Sequence, residues 1–255
     1  MIKEITSVNN SYVKELLSLK EKTIRNEFKL FLVEGYHLVE EALKHQSLKA
    51  VLCSDVNVLN NFDIDEKYLV SDAVIKKLST TKNPQNIIGV VNSITNKNLD
   101  SILSKEDVKL IILDNVNDPG NLGTIIRTAA ALGFDAVISS NETVDYYNEK
   151  VLRATQGAIF KIPLFKCGLV DLINKLKQNS IKVYGTSLKS SISAYEVNKE
   201  GKLAVVVGNE GQGVSDQVLN VCDQNVILPM NNDVESLNVS IAAALLMWEF
   251  SKKNL

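Results

Sequence analysis

The chain has 255 residues, 45% hydrophobic and 23% charged, and 28 Lys and Arg against 30 Asp and Glu leave a net charge of −2. That is the composition of a globular chain long enough to bury a real core, as one large domain or two small ones. It excludes a protein that coats nucleic acid by bulk charge, since residues 1–100 carry 13 basic and 13 acidic side chains and sequence-independent binding needs phosphates neutralised.

No apolar run reaches the ~18–20 residues of a membrane span, and Met1-Ile2-Lys3-Glu4 lacks the apolar core of a signal peptide. Cys53, Cys167 and Cys222 lie far apart and form no CxxC pattern. Reduced thiols in a cytoplasm, with no metal site, are the expectation.

In the first part of the chain, Asn9 or Asn10 is placed to cap a helix through about Lys20, with Val13, Leu16 and Leu17 inward. Phe31–Val33 reads as a strand, and Gly35 opens a helix through Lys44 with an apolar stripe of Leu38, Val39, Ala42 and Leu43. Strands follow at Ala50–Cys53 and Tyr68–Val70, a helix at Ala73–Leu78, and a strand at Ile87–Val91. These elements predict a small α/β domain over residues 1–95. Lys14, Lys20, Lys22, Arg25 and Lys29 form its best basic patch, which a solvated helix face explains equally well. The polar stretch 94–107 is the expected linker, with room for a short helix at Leu99, Ile102 and Leu103.

From residue 108 strand and helix alternate. Strands are predicted at 109–114, 135–139, 181–186, 203–208 and 225–229, and helices at 121–132, about 148–155, 169–178 and 236–250. The strands are apolar on both parities, as in a parallel sheet covered on both faces, so residues 108–255 are expected to form a doubly wound α/β domain. Ligands of such sheets sit beyond the carboxyl ends of the strands, which picks out the turns at 114–121, 208–213 and 229–236.

The first of these turns, Asp114-Asn115-Val116-Asn117-Asp118-Pro119-Gly120-Asn121, leads into a helix that Gly133 is placed to end. Asn121 is expected to cap that helix. Arg127, amid Ile125, Ile126, Thr128 and Ala129, is either paired with a carboxylate or aimed at a phosphate or a nearby hydroxyl. The second turn, Gly208-Asn209-Glu210-Gly211-Gln212-Gly213, is neither a Walker loop nor GxGxxG. Its glycines allow close backbone approach to a ligand, and Glu210 sets one negative charge there. The third runs from Leu228-Pro229-Met230 to Ser236-Leu237-Asn238-Val239-Ser240, with Ser236 expected to cap a final helix that is apolar nearly all round.

Taken in order, these loops resemble the TrmH-like (SpoU) branch of the SPOUT RNA methyltransferases. Asn121 to Ala129 matches that family's first motif, Gly208-Asn209-Glu210-Gly211-x-Gly213 the second, and Pro229-Met230 through Ser240 the third, with Asn232 where the family often has glycine. Arg153-Ala154-Thr155-Gln156-Gly157-Ala158 also looks like a segment common there. Phe31-Leu32-Val33-Glu34-Gly35, followed by Val39 to Leu43, is similar to the small L30e-like domain that precedes the catalytic one.

The resemblance implies a parallel-sheet SPOUT domain with a C-terminal trefoil knot, an active site formed across a homodimer, and methyl transfer from S-adenosylmethionine to a ribose 2′-hydroxyl in structured RNA. It implies that Gly208, Leu228 and Leu237, with Thr186 a further candidate, contact the cofactor. It also implies that Arg127 acts at the hydroxyl, Asn121 and Glu210 position Arg127, and Ser236 and Asn238 line the reacting pocket. Arginine stays protonated, so the undemanding role for Arg127 is to hold the adjacent phosphate and stabilise developing alkoxide charge. The L30e-like domain favours ribosomal RNA over tRNA as substrate. A non-catalytic ribosome-assembly factor is the alternative of another class. An ordinary nucleotide-binding enzyme is disfavoured because the first βα turn lacks the dinucleotide fingerprint.

Overall fold

The structure, a computed structural model, describes residues 2–94, 98–189, 191–231, 233 and 236–251. Asn232 and residues 95–97 of the expected linker lie outside the described residues. In chain order the elements begin with β1 (Ile2–Ile5), α1 (Ser11–Ser18), α2 (Lys22–Phe28), β2 (Leu30–Glu34), α3 (Tyr36–Lys44), β3 (Leu48–Cys53), α4 (Val56–Asn60), β4 (Glu66–Val70), α5 (Asp72–Leu78), β5 (Ile87–Asn92) and α6 (Leu99–Leu103). They continue with β6 (Lys109–Leu113), α7 (Pro119–Ala131), β7 (Ala136–Ser139), α8 (Glu149–Thr155), β8 (Leu164–Lys166), α9 (Leu169–Gln178), β9 (Lys182–Thr186), β10 (Ile192–Ser193), β11 (Leu203–Val207), α10 (Asp216–Leu219), β12 (Gln224–Ile227) and α11 (Val239–Ser251).

The chain divides into two compact units: Met1–Thr95 with Tyr147–Phe160, and Asn96–Tyr146 with Lys161–Leu255. The segment 147–160 was expected within the second domain as one of its alternating helices. It lies in the first unit because its side chains find their partners there. The Tyr147 ring stacks on Phe31 with centroids 4.4 Å apart, and the Tyr147 hydroxyl accepts from the Ile94 amide at 3.0 Å.

The first unit is built on a five-stranded sheet in the order β1-β4-β3-β5-β2, with β1, β4 and β3 parallel and β5 antiparallel to both of its neighbours. Asn10 caps α1 by accepting from the Tyr12 amide at 2.9 Å, and Val13 and Leu16 pack with Ile75, Leu78 and Leu52. β1 and α2 escape sequence reading because each offers too little apolar periodicity: only Ile5 of β1 is buried. The expected basic patch loses Arg25, which is 8% exposed and donates from Nη1 to the Leu19 and Lys20 carbonyls at 2.9 and 2.7 Å. Its guanidinium satisfies carbonyls past the end of α1, a structural task.

The second unit is a seven-stranded, wholly parallel sheet in the order β10-β12-β9-β11-β6-β7-β8. Every residue of β6 and β11 is buried, as the apolar runs Leu110–Leu113 and Leu203–Val207 require at the centre of a two-sided sheet, with Lys109 buried at the start of β6. Ile102 and Leu103 of α6 sink into the same core, so this part of the expected linker is packed structure. α11 packs against α7 and β11 through Ala243, Leu246, Met247 and Phe250. Its buried Glu249 pairs with Lys199, and the Phe250 ring lies 5.5 Å from that of Tyr184. The helix is not covered all round: Ile241, Leu245 and Trp248 are 50%, 47% and 52% exposed. Among the described residues no helix is long and apolar enough to cross a membrane.

Candidate active site

The sheet order brings the predicted loops together. β6 and β11 are neighbours in register, Leu113 opposite Val207, so the turns that leave them start side by side. β9 flanks β11 and β12 flanks β9, which brings Thr186 and the chain after Ile227 to the same end of the sheet.

Asp114 opens the first turn. Its amide donates to the Val207 carbonyl at 2.9 Å, and its carboxylate accepts from the Ser215 amide at 2.8 Å, which fixes the exit of the second loop. Asn115 adopts φ +59° and its carbonyl accepts from Asn209 Nδ2 at 2.9 Å. Asn209 is the organiser of the second loop. Its Oδ1 accepts from the Gly211 and Gln212 amides at 2.9 and 3.1 Å, and its backbone exchanges two 2.9 Å bonds with Gly213. Gly208 sits so close under this closure that a Cβ there would lie 2.0 Å from the Gly213 carbonyl carbon and 2.1 Å from the Val214 nitrogen. Asp114, Asn115 and Asn209 stand inside the first two motif turns, where the sequence alone gives them no role. Their partners lie up to 101 residues away, and no local signal marks them.

The helix α7 starts at Pro119, not at 121, and its cap is Asp118, not Asn121. The Asp118 carboxylate accepts from the Asn121 amide at 2.8 Å, with proline at the first helical position where its missing N–H costs nothing. Gly133, at φ +71°, ends the helix as expected. The Asn121 side chain, freed from capping, joins the three loops. Its Nδ2 donates to Glu210 Oε1 at 3.1 Å, and its Oδ1 accepts from Asn238 Nδ2 at 3.0 Å. Asn238, not Ser236, caps α11: its Oδ1 accepts from the Ser240 and Ile241 amides at 2.9 and 3.3 Å and from the Ser240 hydroxyl at 2.6 Å. The helix therefore starts at 239.

This chain of bonds has one possible polarity. A carboxylate only accepts and helix amides only donate, so both asparagines are held with the amide nitrogen toward Glu210 and the oxygen toward α11. Glu210 also accepts from the Asp118 and Asn117 amides at 3.0 and 3.3 Å. Burial pushes the Glu210 carboxyl up, but the Asn121 amide and these backbone donors outweigh it and hold the group below its ordinary value of 4.5. It is a carboxylate at neutral pH.

An open pocket of about 610 Å³ lies beside this junction, within the size range of ligand sites. Thr186, Gly208, Leu228 and Leu237, the four expected cofactor contacts, all line it, together with Glu210 and Ser236. Asn121, Arg127 and Asn238 are not among its lining residues. Arg127 is exposed, and its guanidinium makes no hydrogen bond or ion pair among the described residues. Neither Asn121 nor Glu210 is hydrogen-bonded to it among the described residues. At 100° per residue it points about 120° round the helix from Asn121. The carboxylate-paired alternative for Arg127 is thus absent from the described structure. No group of three or more His, Cys, Asp or Glu is placed to hold a metal among the described residues.

The family model of the SpoU rRNA methylases matches residues 109–248. The chain belongs to the SpoU rRNA methylase family. A second family model, of the MRM3-like substrate binding domain, matches residues 10–89. The 23S rRNA (guanosine(2553)-2′-O)-methyltransferase RlmP of Bacillus subtilis is 38% identical over 251 residues, spanning 97% of this chain and 98% of its own. Among solved structures, the AdoMet-bound rRNA methyltransferase of Sinorhizobium meliloti superposes with a TM-score of 0.89 at 29% identity, covering 100% of this chain and 99% of that one. AviRb of Streptomyces viridochromogenes, in complex with AdoMet, shares the fold with a TM-score of 0.87 at 23% identity, covering 96% and 98%. SpoU methylases are S-adenosylmethionine-dependent RNA methyltransferases. The pocket suits that cofactor: apolar walls from Leu228 and Leu237 suit a flat base, and the ionised Glu210 suits a cationic sulfonium.

Proposed function

We propose that this SpoU methylase transfers a methyl group from S-adenosylmethionine to a ribose 2′-hydroxyl of large-subunit ribosomal RNA in the cytoplasm, and does so as a homodimer. The observation that carries this reading is the Glu210–Asn121–Asn238 chain, which gathers all three motif loops beside one ligand-sized pocket. The whole-length likeness to an enzyme named for 23S rRNA favours ribosomal RNA, as does the match to a substrate-binding domain.

The cofactor, when bound, supplies an electrophilic methyl group. Thr186, Gly208, Leu228 and Leu237 hold it in the pocket, and Glu210 keeps the junction closed around it. Ser236, exposed at the pocket, faces the incoming ribose, and Asn238 fixes the start of α11 beside it. Arg127 grips the phosphate next to the reacting ribose and stabilises negative charge as it develops on the 2′ oxygen.

Arg127 serves the pocket of a second copy. It projects from α7, which packs on α11, and α11 carries the exposed stripe Ile241, Leu245 and Trp248 at spacings of four and three. Such a stripe is self-complementary across a two-fold axis. Sedimentation should give the mass of a dimer at micromolar concentration, and Trp248→Asp should give monomers that have lost methyl transfer. A stable wild-type monomer would remove the composite site.

The deciding assay follows labelled methyl from S-adenosylmethionine into total RNA from a strain lacking the protein. Label in large-subunit rRNA, alkali-resistant at one linkage, is expected. No label in any RNA or ribosomal particle, with no cofactor binding, would instead favour a non-catalytic assembly factor.

A further inference from the structure

The motif Arg153-Ala154-Thr155-Gln156-Gly157 takes no part in the pocket of the second unit, since it belongs to the first. There it meets two other segments around the end of β2. Arg153 Nη1 donates to Thr80 Oγ1 at 3.0 Å, and His37 Nε2 is bonded to the Gln156 carbonyl at 3.0 Å. Glu34, the last residue of β2, accepts from the Ser79 and Thr81 hydroxyls at 2.8 and 2.6 Å. The Tyr36 amide donates to Gln85 Oε1 at 3.1 Å. A Cβ on Gly35, which sits at φ +101°, would lie 2.9 Å from that same oxygen. Residues 34–37, 79–86 and 153–157 are therefore one prearranged surface.

Its accessible groups are one part of the Tyr36 ring, 39% exposed with its hydroxyl against Cys53, together with His37, Thr80, Lys82, Asn83 and the half-buried Arg153. An exposed aromatic ring, a guanidinium held at one nitrogen by Thr80, and the exposed His37 and Asn83 side chains are the kinds of group that unpaired RNA bases require for stacking and edge recognition. A duplex backbone would demand a denser field of cations. Glu34 is held by the Ser79 and Thr81 hydroxyls, Arg153 and Lys82 supply positive charge beside it, and Lys20 lines a groove shared with Glu34, Thr80 and Arg153.

We propose that this surface grips an unpaired nucleotide of the substrate RNA, with Tyr36 stacked on its base and Arg153 on an adjoining phosphate. The inference rests on the rRNA reading above and adds the residues that read the substrate. It makes the 153–157 motif a substrate-gripping element, and it leaves Lys14 and Lys22 of the expected basic patch out of RNA binding.

The test uses the full chain and large-subunit rRNA purified from a strain lacking the protein, with both filter retention and initial rates of methyl transfer. Tyr36→Ala and Arg153→Gln should each raise the KM for rRNA about ten- to a hundredfold, with the KM for S-adenosylmethionine unmoved. Tyr36→Phe should restore wild-type behaviour, and Lys14→Gln with Lys22→Gln should change nothing. The logarithm of rRNA affinity should fall with the logarithm of salt concentration at a slope of only about −1.4 for two phosphates, and Arg153→Gln should flatten it by about 0.7. A KM for rRNA within twofold of wild type in Tyr36→Ala, or a steep slope that only the Lys14 and Lys22 changes reduce, overturns the proposal. If the wild type transfers no methyl at all, the proposed reaction fails, and filter retention alone still decides whether this surface binds RNA.

Discussion

Replacing Arg127 by alanine should lower methyl transfer about a hundred- to a thousandfold, the usual loss when one preplaced donor to a developing oxyanion is removed. Affinity for S-adenosylmethionine should hold, because Arg127 does not line the pocket. Stability should hold as well: the side chain is exposed, has no partner among the described residues, and alanine is the best helix former. Arg127→Lys should recover only part of the rate, since an ammonium keeps the charge but not the planar fork. Single-turnover rates beside calorimetric cofactor titration would separate the two effects. A loss smaller than tenfold would mean that the guanidinium is not at the reacting hydroxyl.

Gly208→Ala should abolish measurable cofactor binding and lower the melting temperature. The added carbon would press on the Gly213 carbonyl carbon at 2.0 Å, the Val214 nitrogen at 2.1 Å and the Gly213 oxygen at 2.2 Å. All three are backbone atoms, so no side chain can swing aside. The loop must open, breaking the paired bonds between Asn209 and Gly213 and carrying Asn209 off the Asn115 carbonyl. Overpacking of this kind typically costs ~1–3 kcal/mol, or about 2–4 °C per kcal/mol in a chain of this size. Gly211→Ala is the control: its new carbon would meet only Asn209 Oδ1, at an ordinary 3.7 Å. Calorimetry and thermal melting of the two variants side by side would settle the matter. Equal cofactor affinity in both would show that the closure of this loop does not shape the pocket.

The sequence discloses what is local. Unbroken apolar runs announce β6 and β11, and Gly133 announces the end of α7. The helix starts expected at Asn121 and Ser236 lie elsewhere, since both residues are plausible caps on local grounds. Pro119 marks the true first turn of α7, and Asn238, expected in the pocket, caps α11. Short elements such as β8 and β10, of three and two residues, carry too little pattern to be recognised. The Glu210–Asn121 bond spans 89 residues and the Asn238–Asn121 bond 117, so nothing in either loop names its partner. The resemblance to a family supplied the order of the motifs. The directed amide chain that joins them is a property of the folded chain alone.

The segment 147–160 decides where the chain can be divided. The polypeptide passes between the two units three times, at 95–96, 146–147 and 160–161. Cutting the chain at 95–96 to isolate either unit would therefore leave Tyr147 and Arg153 stranded from Phe31 and Thr80, and residues 1–95 alone would lack part of their own packing.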